Sequence, residues 1–319
     1  MKKNKTKLVA VFFSLLYCVY MLIIPWESIT KSGGFIDYER YVVKYGSSLE
    51  RIYFESSVEP NIKSLLVTEA LWGYTMFFLA DITQDSAFSL RLFSFIIAFI
   101  LAYYTFQRVP IYFGLLFLMH PMCISIVMSI IRNGVAWSFL MVAFTMQHKI
   151  KKWIIIGLMP FVHASSVVVI GLYSYKIWFL DKIKTKVALI NTILGVGVGV
   201  GLILTVANFV LNAFINDQRL EDDYSTTSGS WLQASFWIIL IIVQFFSPFE
   251  YIKKHSLTIL LLVWYITMNP FIPWSYRIWG IFIPLMALAI WELPQHFKIP
   301  IVVCWIGYTF VWYLNYFNI

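Results

Sequence analysis

Charge is what this sequence has least of. Only 13% of its 319 residues are Asp, Glu, Lys or Arg, about half the ~25% of an ordinary soluble domain. The shortage is uneven. Nothing charged lies between Lys7 and Glu27, Arg108 and Arg132, Lys152 and Lys176, Lys186 and Asp217, or Lys254 and Arg277. Each gap is long enough for a membrane-crossing helix, which takes roughly 20 apolar residues. Cysteine is scarce as well. Cys18, Cys123 and Cys304 sit inside apolar segments without metal-ligand spacing, which excludes a thiolate metal centre and reads as packing. A Gly-rich phosphate loop, a CxxC pair, an HExxH motif and a sugar-nucleotide domain are all missing. The adjacent acids Glu221, Asp222 and Asp223 read as a solvated loop. No metal and no cofactor is therefore expected.

What is abundant is apolar surface: 60% of residues are hydrophobic, 19% are aromatic and the mean hydropathy is +0.77. These values predict an all-α, polytopic membrane bundle with roughly ten or eleven membrane segments. Residues 1–319 form one transmembrane domain in this reading, interrupted by loops at 27–63 and 215–230. Lys2, Lys3, Lys5 and Lys7 precede a long apolar run that lacks a small-residue cleavage pattern, as in a retained signal anchor with a cytoplasmic amino terminus. The net charge of +8 then belongs to cytoplasmic lysine clusters and not to nucleic-acid binding. With the amino terminus inside, loop 27–63 lies outside, and Phe35 to Leu49 suit a short interfacial helix. Loop 215–230 also falls outside, because the span after it ends near Lys253 and Lys254.

The middle of the chain resists simple counting. Lys149, Lys151 and Lys152 lie before one apolar segment and Lys176, Lys182, Lys184 and Lys186 after it, yet both clusters favour the cytoplasm. A re-entrant pair of half-helices over Trp153–Tyr175, broken near Pro160 to Ser166, resolves the conflict. Parity then requires Val109–Ile131, broken at His120-Pro121, to return to the side it came from, which puts Arg132 outside. Broken backbone at membrane depth is tolerated where it is buried in protein or lines a wet cavity.

Ionisable groups within such segments cost on the order of 2.5 to 3.5 kcal/mol to insert, so each is a candidate functional residue. The group comprises Glu69, Arg132, His163, Arg277 and His120. Arg132, followed by Asn133-Gly134, is the strongest of them, and an ion pair with Glu69 is its structural alternative. His163 sits at the Phe161-Val162-His163-Ala164-Ser165-Ser166 break, where an imidazole can exchange a proton near neutral pH. Arg277 follows a proline-broken turn, Asn269-Pro270 to Pro273.

This order of motifs resembles the EpsG family of exopolysaccharide and O-antigen polymerases, a divergent branch of the Wzy-type enzymes. The resemblance is carried by Asp37-Tyr38 with Tyr41 and Tyr45, Glu59-Pro60, Trp72-Gly73, Ile131-Arg132-Asn133-Gly134, the His163 break, Arg219 with Tyr224, and Tyr276-Arg277. It implies a GT-C-like helical fold in a bacterial inner membrane. The implied reaction transfers a growing glycan from undecaprenyl diphosphate onto an incoming lipid-linked oligosaccharide repeat at the outer face. Membrane lipid and a chain-length regulator are the other candidate partners.

That chemistry makes two demands. The departing diphosphate needs cationic stabilisation, for which Arg132 and Arg277 suffice without a metal. The attacking hydroxyl needs a proton acceptor, for which Asp37, Glu59 and His163 are candidates in that order. Arg219, Tyr38 and Tyr224 complete the expected substrate contacts. Two rival readings share the composition: a flippase for lipid-linked sugars, which would show internal repeats that this chain lacks, and a membrane acyltransferase that decorates the glycan.

Overall fold

The computed structural model describes residues 2–31, 35–215, 231–272, 280 and 282–318. Every regular element among them is helical, apart from an isolated antiparallel bridge between Thr30 and Phe317. Among the described residues three helices are long and apolar enough to cross a membrane, Ser86–Phe106, Lys186–Ala207 and Gln295–Tyr316, and the bent pair Ile111–Leu118 with Pro121–Met128 makes a fourth if it is one span. Other apolar stretches, such as Lys7–Ile23, Ala234–Phe246 and Ser256–Met268, form shorter helices. The chain divides into two compact units, residues 1–170 with 309–319, and residues 171–308.

The first unit begins with α1 (Lys2–Ile23) and α2 (Trp26–Ile29), followed by four helices: α3 (Ile36–Gly46), α4 (Ser48–Ser57), α5 (Ile62–Val67) and α6 (Ala70–Thr83). Polar caps cut this stretch into short pieces. Ser47 accepts from the Glu50 N–H at the start of α4 and Asn61 from the Ser64 N–H at the start of α5. α3 and α4 lie along α6. Tyr45 meets Trp72 and Phe77, Phe54 meets Tyr74 and Phe77, and Arg51 reaches Asp81 at 2.5 Å. Gly73 makes the approach of α4 feasible, since a Cβ there would fall 2.2 Å from the Phe54 ring. The segment expected to cross the membrane at 64–80 is thus two short helices, the second clothed by the chain's own loop.

Next come α7 (Ser86–Phe106), α8 (Ile111–Leu118), α9 (Pro121–Met128), α10 (Ile131–Thr145) and α11 (Lys149–Val162), and α12 (Ser166–Trp178) starts in this unit. α7 and α10 run in the same direction: Ile97 packs on Gly134, and further along Tyr104 meets Phe144. The α8–α9 pair between them therefore carries the chain back from one end of the unit to the other. It breaks where expected, with a bend of 72°. Local and long-range hydrogen bonds hold the break. Pro121 needs no N–H partner at the start of α9, and His120 Nδ1 accepts the Met122 N–H at 3.1 Å. Tyr17 donates its hydroxyl to the Leu118 carbonyl at 2.9 Å, and Tyr313 donates to that of Met119. His120 is accordingly a buried helix cap. The carboxyl end closes the unit through Asn318 N–H to the Ile29 carbonyl and Lys31 N–H to that of Tyr316.

The second unit holds α13 (Lys186–Ile215), α14 (Trp231–Phe246), α15 (Phe249–Lys254), α16 (Ser256–Met268), α17 (Ile283–Trp291) and α18 (Gln295–Tyr316) as far as Tyr308. α13 packs closely on α16 through Gly197 against Val263 and Gly201 against Thr267. An aromatic core joins Trp237, Tyr265 and Trp305, where the Trp237 indole N–H donates to the Tyr308 hydroxyl at 3.0 Å. Glu292 accepts from both Lys254 and His255, tying α15 and α16 to the end of α17.

Candidate functional site

The costliest residues of the first unit converge on one carboxylate. Glu69 is buried in front of α6, with φ 52° and ψ 49°. Left-handed backbone is rare for any residue but glycine, and where it persists the surroundings hold it. Three partners do so here. Arg132 Nη1 donates to Glu69 Oε2. His163 Nδ1 lies 2.7 Å from Glu69 Oε1, and the Ala164 backbone N–H donates to the same oxygen at 3.0 Å.

Each partner is delivered by a local feature of the sequence. Arg132 stands in the first turn of α10, and Gly134 just beyond it lets that helix close on α7 and on the Ile126 carbonyl. His163 ends α11, where the helix is interrupted until Ser166. This interruption falls where proline, histidine and small residues led us to expect it. It also supplies the Ala164 N–H, which no longer belongs to a helical ladder. α11 rises about 21 Å from Lys149 to Val162 at ~1.5 Å per residue, less than the ~30 Å of a bilayer core. Lys152 stands at its far end, against the Phe144 ring at 5.3 Å.

The carboxylate dictates the state of the imidazole. A proton on Nδ1, facing Oε1, makes Nε2 the acceptor nitrogen of His163. An imidazole so held has a fixed tautomer and a counter-charge for its protonated form. Arg132 remains about one-third exposed, and among the described residues Glu69 is its one hydrogen-bonded partner. Tyr41 lies under the guanidinium at 5.9 Å and touches Tyr45 and Trp72, so an aromatic ridge continues from the charged group along α6.

The other expected residues fall in several places. Asp37, in the first turn of α3, is half-buried and near enough to Arg132 to act on its charge. Glu59 is exposed in the turn before α5, where its carboxylate accepts from Asn61 at 2.8 Å, which gives it a turn-forming task. Tyr38 is buried and points its hydroxyl at the Ala87 carbonyl of α7, at 3.4 Å. Arg219, Tyr224 and Arg277 lie outside the described residues. Glu69 is the member whose role the sequence hid: it was visible as an acid in an apolar window and as a partner for Arg132, but nothing local connects it to His163. Among the described residues no cluster of His, Cys, Asp and Glu is arranged to hold a metal. No family model, no curated protein and no solved structure matches the chain.

Proposed function

We propose that this chain is a Wzy-type polysaccharide polymerase, joining lipid-diphosphate-linked oligosaccharide repeats at the outer face of a bacterial inner membrane. The observation that carries the reading is a buried carboxylate shared by a guanidinium and an imidazole at a helix break. A glycosyl transfer from a lipid diphosphate needs this pairing of functions. The hydroxyl of the incoming repeat attacks the anomeric carbon of the growing chain. Its proton passes to His163 Nε2, and Glu69 offsets the imidazolium charge. The bond to the diphosphate oxygen breaks, and Arg132 meets the charge left on that oxygen. Glu69 is a positioning residue in this scheme, and His163 takes the role for which Asp37 and Glu59 were also candidates.

The order of motifs along the chain supports the same family. Placing the amino terminus in the cytoplasm sets Arg132, Glu69 and His163 near the outer side and Lys149 to Lys152 near the inner side, as the positive-inside rule favours. A half-helix return over α11 and α12 then leaves the later lysines inside as well.

The test is the surface-glycan ladder of a deletion strain complemented with wild type, Arg132→Ala or His163→Ala, with protein levels checked by blotting. Wild type should restore the ladder, and each variant should leave single repeats with polymer reduced at least about 100-fold, the lower range for losing a general base or charge clamp. An intact ladder in the deletion strain would overturn the proposal. Loss of all surface repeats, single ones included, would favour the flippase.

A further inference from the structure

At the end of α6 remote from Glu69, the loop helices line an open cavity of about 360 Å³ whose walls include Tyr45, Ser47, Arg51, Asp81, Gln84 and Asp85. Small-molecule sites run from about 300 to 1,000 Å³, so this one suits one or two sugar rings better than a large cofactor. The cavity is built by fixed elements. Gln84 holds a left-handed backbone, φ 55° and ψ 19°, while its side-chain amide donates to the Asp81 carbonyl at 2.5 Å. Ser47 and Asp85 cap α4 and α7 at its edge, and Ser86 fastens α7 to the Val42 carbonyl of α3 at 2.9 Å.

The chemistry of the wall selects the ligand. Arg51 is engaged by Asp81 at 2.5 Å and by Glu55 at 2.9 Å. One guanidinium set against two lining carboxylates leaves no positive excess, so an anionic group such as a phosphate is disfavoured. Carboxylates, an amide and hydroxyls beside the rings of Tyr45 and Phe77 suit a neutral polyhydroxylated molecule, whose hydroxyls take the polar groups and whose C–H face meets the rings. We infer that this cavity is a saccharide subsite that holds the glycan at a distance from the diphosphate. The inference rests on the polymerase reading for the identity of the sugar.

The site is connected to the charged cluster. Tyr45 lines the cavity and touches Tyr41, which underlies Arg132. From Glu69 to Asp81 the rise of α6 is roughly 18 Å at 1.5 Å per residue, a gap that a short linear oligosaccharide spans. One end of a repeat would then be gripped here while its reacting end stands at His163.

The experiment uses the purified full-length protein and the free oligosaccharide released by mild acid from the host's own lipid-linked repeats, with binding read by saturation-transfer NMR. Wild type and Arg132→Ala should bind alike. The double variant Arg51→Ala/Asp81→Ala should bind about tenfold more weakly, the effect of losing a hydrogen bond to a charged group, and Ser48→Trp, which fills the cavity from its wall, should abolish binding. The Arg51–Asp81 pair is exposed, where solvent screening leaves an ion pair little weight in folding, so the double variant keeps its melting temperature. Binding that is absent in wild type, or unchanged in both cavity variants, overturns the subsite. The glycan ladder decides the polymerase reading separately, since Arg132→Ala removes polymer while sparing this binding.

Discussion

Glu69 concentrates several unfavourable choices in one residue. It combines a left-handed backbone, which costs a side-chain-bearing residue roughly 1–2 kcal/mol, with a buried carboxylate that must be matched by donors. It persists because Arg132, His163 and the Ala164 N–H satisfy it together. The two charged members should therefore behave as a unit in a double-mutant cycle. Glu69→Ala and Arg132→Ala should each destabilise the protein by about 2 kcal/mol, below the 3–5 kcal/mol of a fully buried pair because Arg132 is partly exposed. The double variant should lose no more than the worse single, giving a coupling of about 1–3 kcal/mol in unfolding from detergent micelles. Additive losses would separate the residues. The sequence made the cost of Glu69 and Arg132 legible, because charge inside an apolar window is visible in one dimension. The bond from Glu69 to His163 was not legible, since it joins positions 94 apart through the packing of α6 and α11.

At the scale of elements, interruptions were easier to read than spans. Proline after histidine marked the α8–α9 bend, and proline, histidine and small residues marked the end of α11. Residues 64–80 form two short helices, and their cover was not legible for a physical reason: hydropathy registers that Trp72, Met76 and Phe77 avoid water, but not whether lipid or a neighbouring helix covers them. Here Phe54 and the tyrosines of α3 cover that face. Close packing of α13 on α16 makes a similar distinction testable within one motif. A Cβ at Gly197 would lie 2.6 Å from Val263 Cγ1 and 2.9 Å from its Cβ, and one at Gly201 would lie 2.7 Å from Thr267 Cβ, whereas Gly195 and Gly199 meet nothing within 4 Å. Gly197→Ala and Gly201→Ala should each cost about 1–3 kcal/mol through overpacking. Gly195→Ala and Gly199→Ala should be neutral or stabilising by up to ~1 kcal/mol, because alanine is the better helix former. Four melting curves check this, and equal losses at all four positions would remove the face-specific packing.

For the whole molecule, the direction of α7 decides how the chain threads a membrane. If residues 64–80 crossed, Asp81 would sit on the side opposite Glu59 and α7 would return toward Glu59's side. Instead Asp81 pairs with Arg51 of α4, Ser86 bonds to Val42 of α3, and the far end of α7 meets Phe144 through Arg108 and Tyr104. We propose a route with one crossing by α7, one by the bent α8–α9 pair and one by α10, which would bring Arg132 to the side of Glu59 and Lys149 to the other, with no violation of the charge rule. The same placement of Arg132 was expected from a different route, with a crossing at 64–80 and a re-entrant 109–131. Single-cysteine labelling separates the two routes. In a Cys304→Ser background, Glu59→Cys, Asp81→Cys, Gln107→Cys and Lys151→Cys are treated in spheroplasts with an impermeant maleimide, the native Cys18 and Cys123 being buried. Glu59→Cys and Asp81→Cys should react in intact spheroplasts, and Gln107→Cys and Lys151→Cys only after permeabilisation. Exchange of Asp81→Cys and Gln107→Cys between these groups would restore the crossing at 64–80, and with it a site assembled from both sides of a span.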